Sequence, residues 1–299
     1  MTITTSPNLP RDGGLIPLNK PTGMTSRQVV NRVERLSRPL RAGHTGTLDP
    51  LASGVLVVCI GAATRLVEYV QRMRKQYVGV FWLGRQSPTE DIEGDVVELP
   101  NAPQPTLEQI EAAAHGFVGR IEQRPPAFSA IKIQGRPAYR LARQGRPVEM
   151  KPRPVEIHRI AIRSYQYPEL VLEVECGAGT YIRSLGRDLA ESLGTAAVMT
   201  ALQRTAVGRF RVEQSVELDW LTADQWTRYV EPPLRAVESL PQALLTSDEV
   251  TRIRNGQTIA RHDVDAEEIA ALDPAGQLVG ILGPAPDDQW RTLRNMPTP

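Results

Sequence analysis

Residues 43–54 read GHTGTLDPLASG, and residues 55–63 follow as VLVVCIGAA. Glycines and an Asp-Pro step running into an unbroken apolar stretch predict a loop that feeds a buried strand. The apolar stretch is far short of the ~20 residues needed to span a bilayer, so it has to be covered by protein. The loop holds a single carboxylate, Asp49. Capping a turn is the ordinary use of an Asp in such a place; the alternative is chemistry at that carboxylate.

The 299 residues suffice for one or two domains, and 41% hydrophobic with 23% charged residues describes an ordinary globular protein. The first residues, MTITTSPNLPRDGG, have neither a basic lead nor an apolar core, so no signal peptide is expected and the chain reads as cytoplasmic. Cys59 and Cys176 lie in apolar runs, and with four scattered histidines they make no zinc spacing. Neither a disulfide framework nor a structural metal is expected. Residues 1–212 hold 28 Lys+Arg against 19 Asp+Glu, whereas residues 213–299 hold 7 against 15. The basic excess is densest over residues 120–163, with 11 basic side chains to 3 acidic ones. That asymmetry favours a polyanionic partner on the N-terminal side, the bland alternative being a solvated face.

Gly14 to Leu18 reads as a first strand and Asn19 to Thr25 as a turn. Ser26 is placed to cap a helix with Val29, Val30, Val33 and Leu36 on one face. Thr64 is placed to cap a short helix, KQYVGVFWL (Lys75 to Leu83) reads as a strand, and Thr106 with Gln109 makes a capping box. A basic excursion, residues 123–153, is expected to carry turns around one short helix. Strands return at Val155 to Ile162 and Leu170 to Cys176, followed by a helix with Ile182, Leu185, Leu189 and Leu193 in register, stopped at Gly194. Residues 211–240 read as a connection with one short helix. A smaller unit from 241 opens its helix at Thr246 and Glu249 and has a strand at Leu278 to Leu282; about 60 residues is marginal for independent folding, so it is expected to pack on the first unit. The mixture predicts an α+β fold, with a flexible segment 1–13, a catalytic unit 14–240 and a small C-terminal unit 241–299.

Five stretches occur in one order: NKPTGMTS from Asn19, GHTGTLDPLASGVL from Gly43, KQY from Lys75, SAIKIQGRPAY from Ser129, and GTYIRSL from Gly179. Together they closely resemble the bacterial tRNA pseudouridine-55 synthases, the TruB family, over roughly residues 14–210. The resemblance implies a mixed, largely antiparallel sheet flanked by helices and loops. It also implies a PUA-like C-terminal domain, which the acidic C-terminal segment resembles only loosely.

It further implies isomerisation of one uridine in the tRNA T loop: the N1–C1′ bond breaks, the uracil turns, and C5 joins C1′. No redox change occurs and no atom is added, so no cofactor is called for. By position Asp49 is the family's essential carboxylate, able to attack C1′ or to take the 2′ proton; the sequence does not separate these routes. Arg183 pairs with that Asp and keeps it ionised, and Tyr77 stacks on the base with its hydroxyl near the proton leaving C5. Tyr181 and Leu202 line the uracil pocket, and Asp91 braces the site. His44 fills the space left by the flipped base. Pro21 and Lys20 shape the neighbouring turn, Lys20 either contacting RNA or bracing the catalytic loop. Lys132, Arg136, Arg140, Arg143 and Arg146 belong to a mobile flap that holds phosphates. Without the resemblance, Arg183 reads as a surface side chain, and Tyr77, Tyr181 and Leu202 as core.

Two positions depart from the family pattern: Pro88 stands where relatives more often have Asp, and Phe128 where a Tyr is frequent. Three rival readings are a non-catalytic RNA-binding protein on the same scaffold, a guide-RNA-dependent relative, and a base-removing hydrolase. The Asp49, Tyr77 and Arg183 trio speaks against the first, and the basic excursion against the second. The expectation is a monomeric isomerase without an obligate protein partner.

Overall fold

The computed structural model describes residues 13–129, 131–133, 135–145, 149–261 and 264–296. The first strand, Gly13–Lys20, pairs antiparallel with Ser53–Gly61 along its whole length, from Gly13 opposite Gly61 to Lys20 opposite Gly54. Val55, Val57 and Cys59 point into one apolar cluster with Leu15, while Leu56, Val58 and Ile60 point into another with Ile16 and Leu18. Both faces of the strand are covered, which explains why its sequence is continuously apolar rather than alternating. Lys75–Leu83 instead buries every second residue, the period-2 signature of a strand with one wetter face.

These strands belong to a mixed sheet whose order is Val216–Glu217, Gly13–Lys20, Ser53–Gly61, Ala197–Val207, Lys75–Leu83, Glu169–Cys176, Arg153–Gln166 and Gly119–Gln123. Ala42–His44 and Phe210–Arg211 pair beside this path. Two pairings are parallel, Gly13–Lys20 with Val216–Glu217 and Ser53–Gly61 with Ala197–Val207; the others are antiparallel. The fold is α+β, as the sequence predicts.

The helix Ser26–Leu36 covers one face through Val29, Val30 and Val33. The helix Ile182–Ser192 covers another part through Ile182, Leu185 and Leu189, beside Leu107–His115. Its approach is close because Gly186 has no side chain: a Cβ there would stand 2.1 Å from the Phe81 ring. Gly194, at φ 72°, lies two residues beyond its end, in the left-handed region where glycine is favoured.

Several local expectations are corrected. Thr25, not Ser26, caps the first helix, through a capping box with Gln28. Thr64 caps nothing; its hydroxyl donates to the Gly61 carbonyl at 2.6 Å inside a 3₁₀ turn, and the α-helix proper is Val67–Arg72. Residues 211–240 carry 3₁₀ turns and no α-helix among the described residues, the Pro232-Pro233 pair being unable to continue one. Ala197–Val207, a strand in the middle of the sheet, was not anticipated.

The C-terminal unit forms its own sheet, in the order Gln242–Leu244, Ile269–Leu272, Leu278–Ala285, Gln289–Asn295, Ile259–Ala260. Its core gathers Val250, Ile253, Ile259 and the fully buried Trp290, and Thr246 with Glu249 caps the helix Ser247–Arg254 as expected. Ala270, Ile281 and Met296 pack into the cluster of Leu15, Val55 and Leu66, and Arg294 reaches Glu68 at 2.6 Å. The small unit is therefore seated on the large sheet, as its size requires.

Candidate active site

The loop carrying Asp49 is tied down residue by residue. The Thr45 amide donates to the Val57 carbonyl at 3.1 Å, and the Gly46 carbonyl accepts from Arg204 at 3.1 Å. Ser26, buried instead of capping, clamps Leu48 from both sides: its hydroxyl accepts from the Leu48 amide at 2.8 Å and donates to the Leu48 carbonyl at 3.1 Å. The Pro50 carbonyl accepts from the Gly23 amide at 2.8 Å, and the Asp49 carbonyl from the Ala52 amide at 3.1 Å. With its backbone so fixed, the loop presents the Asp49 side chain to a part-open site, at 33% exposure.

Glycine is required where the chain leaves this loop. At Gly54, with φ 102°, a Cβ would stand 2.2 Å from the Arg204 carbonyl oxygen. Its absence lets the Ala197–Val207 strand close on the loop's exit. Gly43 has open space around its missing Cβ.

Arg183 meets Asp49 from the helix Ile182–Ser192. Its Nη2 stands 3.0 Å from Asp49 Oδ2 and its Nη1 3.1 Å from Asp91 Oδ2, with the guanidinium side chain only 4% exposed. It also donates to the carbonyls of Thr89 at 2.7 Å and Phe128 at 3.0 Å. One fork thus joins the Asp49 loop, the 87–93 segment and the root of the basic excursion. Burial pushes the Asp49 carboxyl above its ordinary range; Arg183 pulls it back and Asp91 pushes it further up. Arg183 thus opposes burial in favour of the ionised Asp49, with its charge shared between two carboxylates.

Asp91 is nearly fully buried behind Arg183 and is also held by Thr89 Oγ1 at 2.6 Å and the Glu93 amide at 3.1 Å. It holds the arginine from the buried side. Next to it Glu90, at φ 63°, accepts from Ser184 at 3.0 Å and pairs with Arg187, which in turn donates to the Arg124 carbonyl at 2.8 Å. Two arginines one helical turn apart therefore clamp the same segment. The altered Pro88 lies inside it, and the carbonyl of the altered Phe128 is an Arg183 acceptor.

Lys20 resolves in favour of bracing. It has no exposed surface, and its ammonium donates to the carbonyls of Pro21 at 2.8 Å, Met24 at 2.6 Å and Pro50 at 3.5 Å; burial lowers its pKa to about 8. Its side chain lies under the loop, whereas Pro21 is exposed.

Tyr77, 8% exposed, packs with Leu48 and Leu202 in the cluster that also holds Ile182. Burial raises its phenol pKa, and Arg204 opposes that rise. Tyr181 precedes the Arg183 helix; its amide and carbonyl are both held by the buried Gln123, at 2.8 and 3.1 Å. The Arg153 guanidinium lies over its ring, 5.1 Å from the centroid. His44 is part-buried beside the loop, its pKa lowered by burial and by Arg27 and Arg204, and its Nδ1 has no partner among the described residues. Arg136 and Arg140 are exposed on the excursion. Arg146 and the side chains of Lys132 and Arg143 lie outside the described residues. Sequence reasoning missed Ser26, Gln123, Arg187 and Arg204 as members of the site.

Comparison with known proteins agrees with this geometry. The model described as TruB family pseudouridylate synthase (N terminal domain) matches residues 34–182, and that of the tRNA pseudouridylate synthase B C-terminal domain matches 183–244. Proteins named tRNA pseudouridine synthase B from Mycobacterium bovis and Bradyrhizobium diazoefficiens are 39% and 42% identical, covering 90% of this chain and 91% and 81% of theirs. A solved Cbf5-Nop10-Gar1 complex contains a chain with 26% identity and a TM-score of 0.68, covering 91% of this chain and 78% of that one. Fold and relatives together define a pseudouridine synthase, an isomerase. Within that class, the chain belongs to the TruB family.

Proposed function

We propose that the protein isomerises uridine 55 in the T loop of tRNAs, using Asp49 at the sugar, Tyr77 against the base and Arg183 to hold the carboxylate. The observation that carries this reading is the single guanidinium shared by Asp49 and Asp91, buried on its own side while Asp49 faces outward. A carboxylate so placed can act at an electron-poor C1′.

The remaining roles follow from position. Tyr181 and Leu202 wall the uracil site, and His44, whose Nδ1 has no partner among the described residues, suits contact with the loop from which the base has been extruded, a step costing a few kcal/mol. Pro21 shapes the turn beside it. Lys132, Arg136, Arg140, Arg143 and Arg146 hold phosphates and set affinity rather than choice of base. The protein works in the cytoplasm as a monomer without an obligate protein partner. Residues 14–240 form its catalytic unit and 241–299 a PUA-like unit.

The test is incubation of a T-arm transcript and its uridine-55-to-cytidine counterpart with the enzyme, followed by nucleoside analysis. Pseudouridine from the first alone supports the reading; pseudouridine from both, or free uracil from either, refutes it. Binding of the transcript should also weaken steeply with salt.

A further inference from the structure

Arg204 lies directly across the antiparallel pairing from Tyr77, so the two side chains leave one face of the sheet within contact distance. It is 3% exposed. Its Nε donates to the Val55 carbonyl at 2.7 Å and its Nη2 to the Gly46 carbonyl at 3.1 Å. These acceptors lie on either side of Asp49, one in the loop and one at its exit. The guanidinium charge acts on the Tyr77 phenol across the pairing, opposing the rise that burial causes there. One buried cation is thus bonded to the loop that carries the carboxylate and sits across the strand pairing from the phenol.

We propose that Arg204 is a positioning residue of this reaction, fixing the Tyr77 oxygen relative to Asp49 and holding it as the acceptor of the proton that leaves C5. The inference rests on the proposed role of Tyr77. After C5 has bonded to C1′, the C5–H bond breaks, its electron pair restores the C5–C6 double bond, and the proton passes to the phenolate oxygen of Tyr77. A neutral phenol has to give its own proton to solvent before it can accept another, a loss that burial opposes. A guanidinium beside it favours the ionised form. Besides Arg204 on the opposite strand, the groups facing Tyr77 are Cys176 from Glu169–Cys176 and Asp49 from the loop. Cys176 is buried with its thiol pKa raised to about 11, and Asp49 is negative when ionised, so neither supplies the positive charge.

The test compares wild type, Arg204→Lys, Arg204→Met and Tyr77→Phe in single-turnover formation of pseudouridine across pH 6 to 10 in a tRNA transcript, with binding measured on the same transcript. The tyrosine whose ultraviolet titration disappears in Tyr77→Phe reports the phenol directly, without substrate. Arg204→Met should slow the reaction on the order of 10²-fold at neutral pH, recover part of its rate as pH rises, and move the Tyr77 titration upward by about a unit or more. Arg204→Lys, which keeps the charge but not the fork, should fall between them with the smaller titration shift. Equal slowing at every pH with an unmoved Tyr77 titration would reduce Arg204 to a structural part and overturn the proposal. Loss of RNA binding alone would overturn it as well. Wild type that makes no pseudouridine would overturn the function proposed above, while the Tyr77 titration would still judge the Arg204 contact.

Discussion

Arg183 Nη2 and Asp49 Oδ2 are 3.0 Å apart, yet the arginine is 4% exposed and the aspartate 33%. The pair is buried on one side and open on the other, and the open side belongs to the carboxylate. Arg183 therefore holds Asp49 from the buried side.

Arg183→Lys should be nearly as damaging as Arg183→Met. A lysine offers one point charge where two carboxylates and two carbonyls are now held by a planar fork. Both variants should lose on the order of 10³-fold in single-turnover rate, while filter binding of tRNA changes by no more than about threefold. A lysine variant with near-normal rate would show that charge alone suffices.

Asp91→Asn should move the acid limb of the pH–rate profile to lower pH. Asp91 is a like charge that helps push the Asp49 carboxyl upward, so neutralising it makes Asp49 ionise at lower pH. The plateau rate should fall as Arg183 loses one of its two anchors. A limb that stays in place, measured from pH 4 to 8, would show that Asp49 does not set it.

Lys20→Met should destabilise the fold by about 1–3 kcal/mol, since three carbonyls lose a charged donor. The pH dependence has a definite sign. With the native pKa lowered from 10.5 to about 8, the unfolded chain binds the proton more tightly between those values. Wild-type stability should therefore gain from Lys20 as pH rises through that window, and the variant should lack the gain. Urea unfolding at pH 7.5 and 10 measures both, and unchanged tRNA affinity would agree with a residue that braces rather than binds.

Gly186→Ala should cost about 1–3 kcal/mol of stability, because the new methyl would be driven into the Phe81 ring. The same displacement moves the helix that carries Arg183, so rate should fall more than affinity. A thermally unaltered variant would contradict the close helix-to-sheet contact.

Much of this was readable from the chain, for reasons that differ by residue. Lys75–Leu83 alternates because one face is buried, and its predicted bounds match the structure. Asp49, Tyr77 and Arg183 come together at one site, which their motifs implied but their spacing could not show. Ala197–Val207 was invisible because its pairing with Lys75–Leu83 shifts register twice, between Met199 and Ala201 and between Arg204 and Ala206. Each shift breaks the two-residue period by which strands are recognised, and Arg204 was lost with it. Ser26 was misread for a subtler reason. Two adjacent hydroxyls can each cap a helix, and the one left over is spent on Leu48, a contact that exists only once the loop has folded back.

The most direct test of the central claim is tritium release from a tRNA transcript labelled at uridine C5, with wild type and Asp49→Asn measured side by side. Wild type should release tritium from position 55 and the variant none above background, at comparable tRNA binding. Release by Asp49→Asn at a rate near that of wild type would contradict it, since no other carboxylate described here is both open to substrate and held by Arg183.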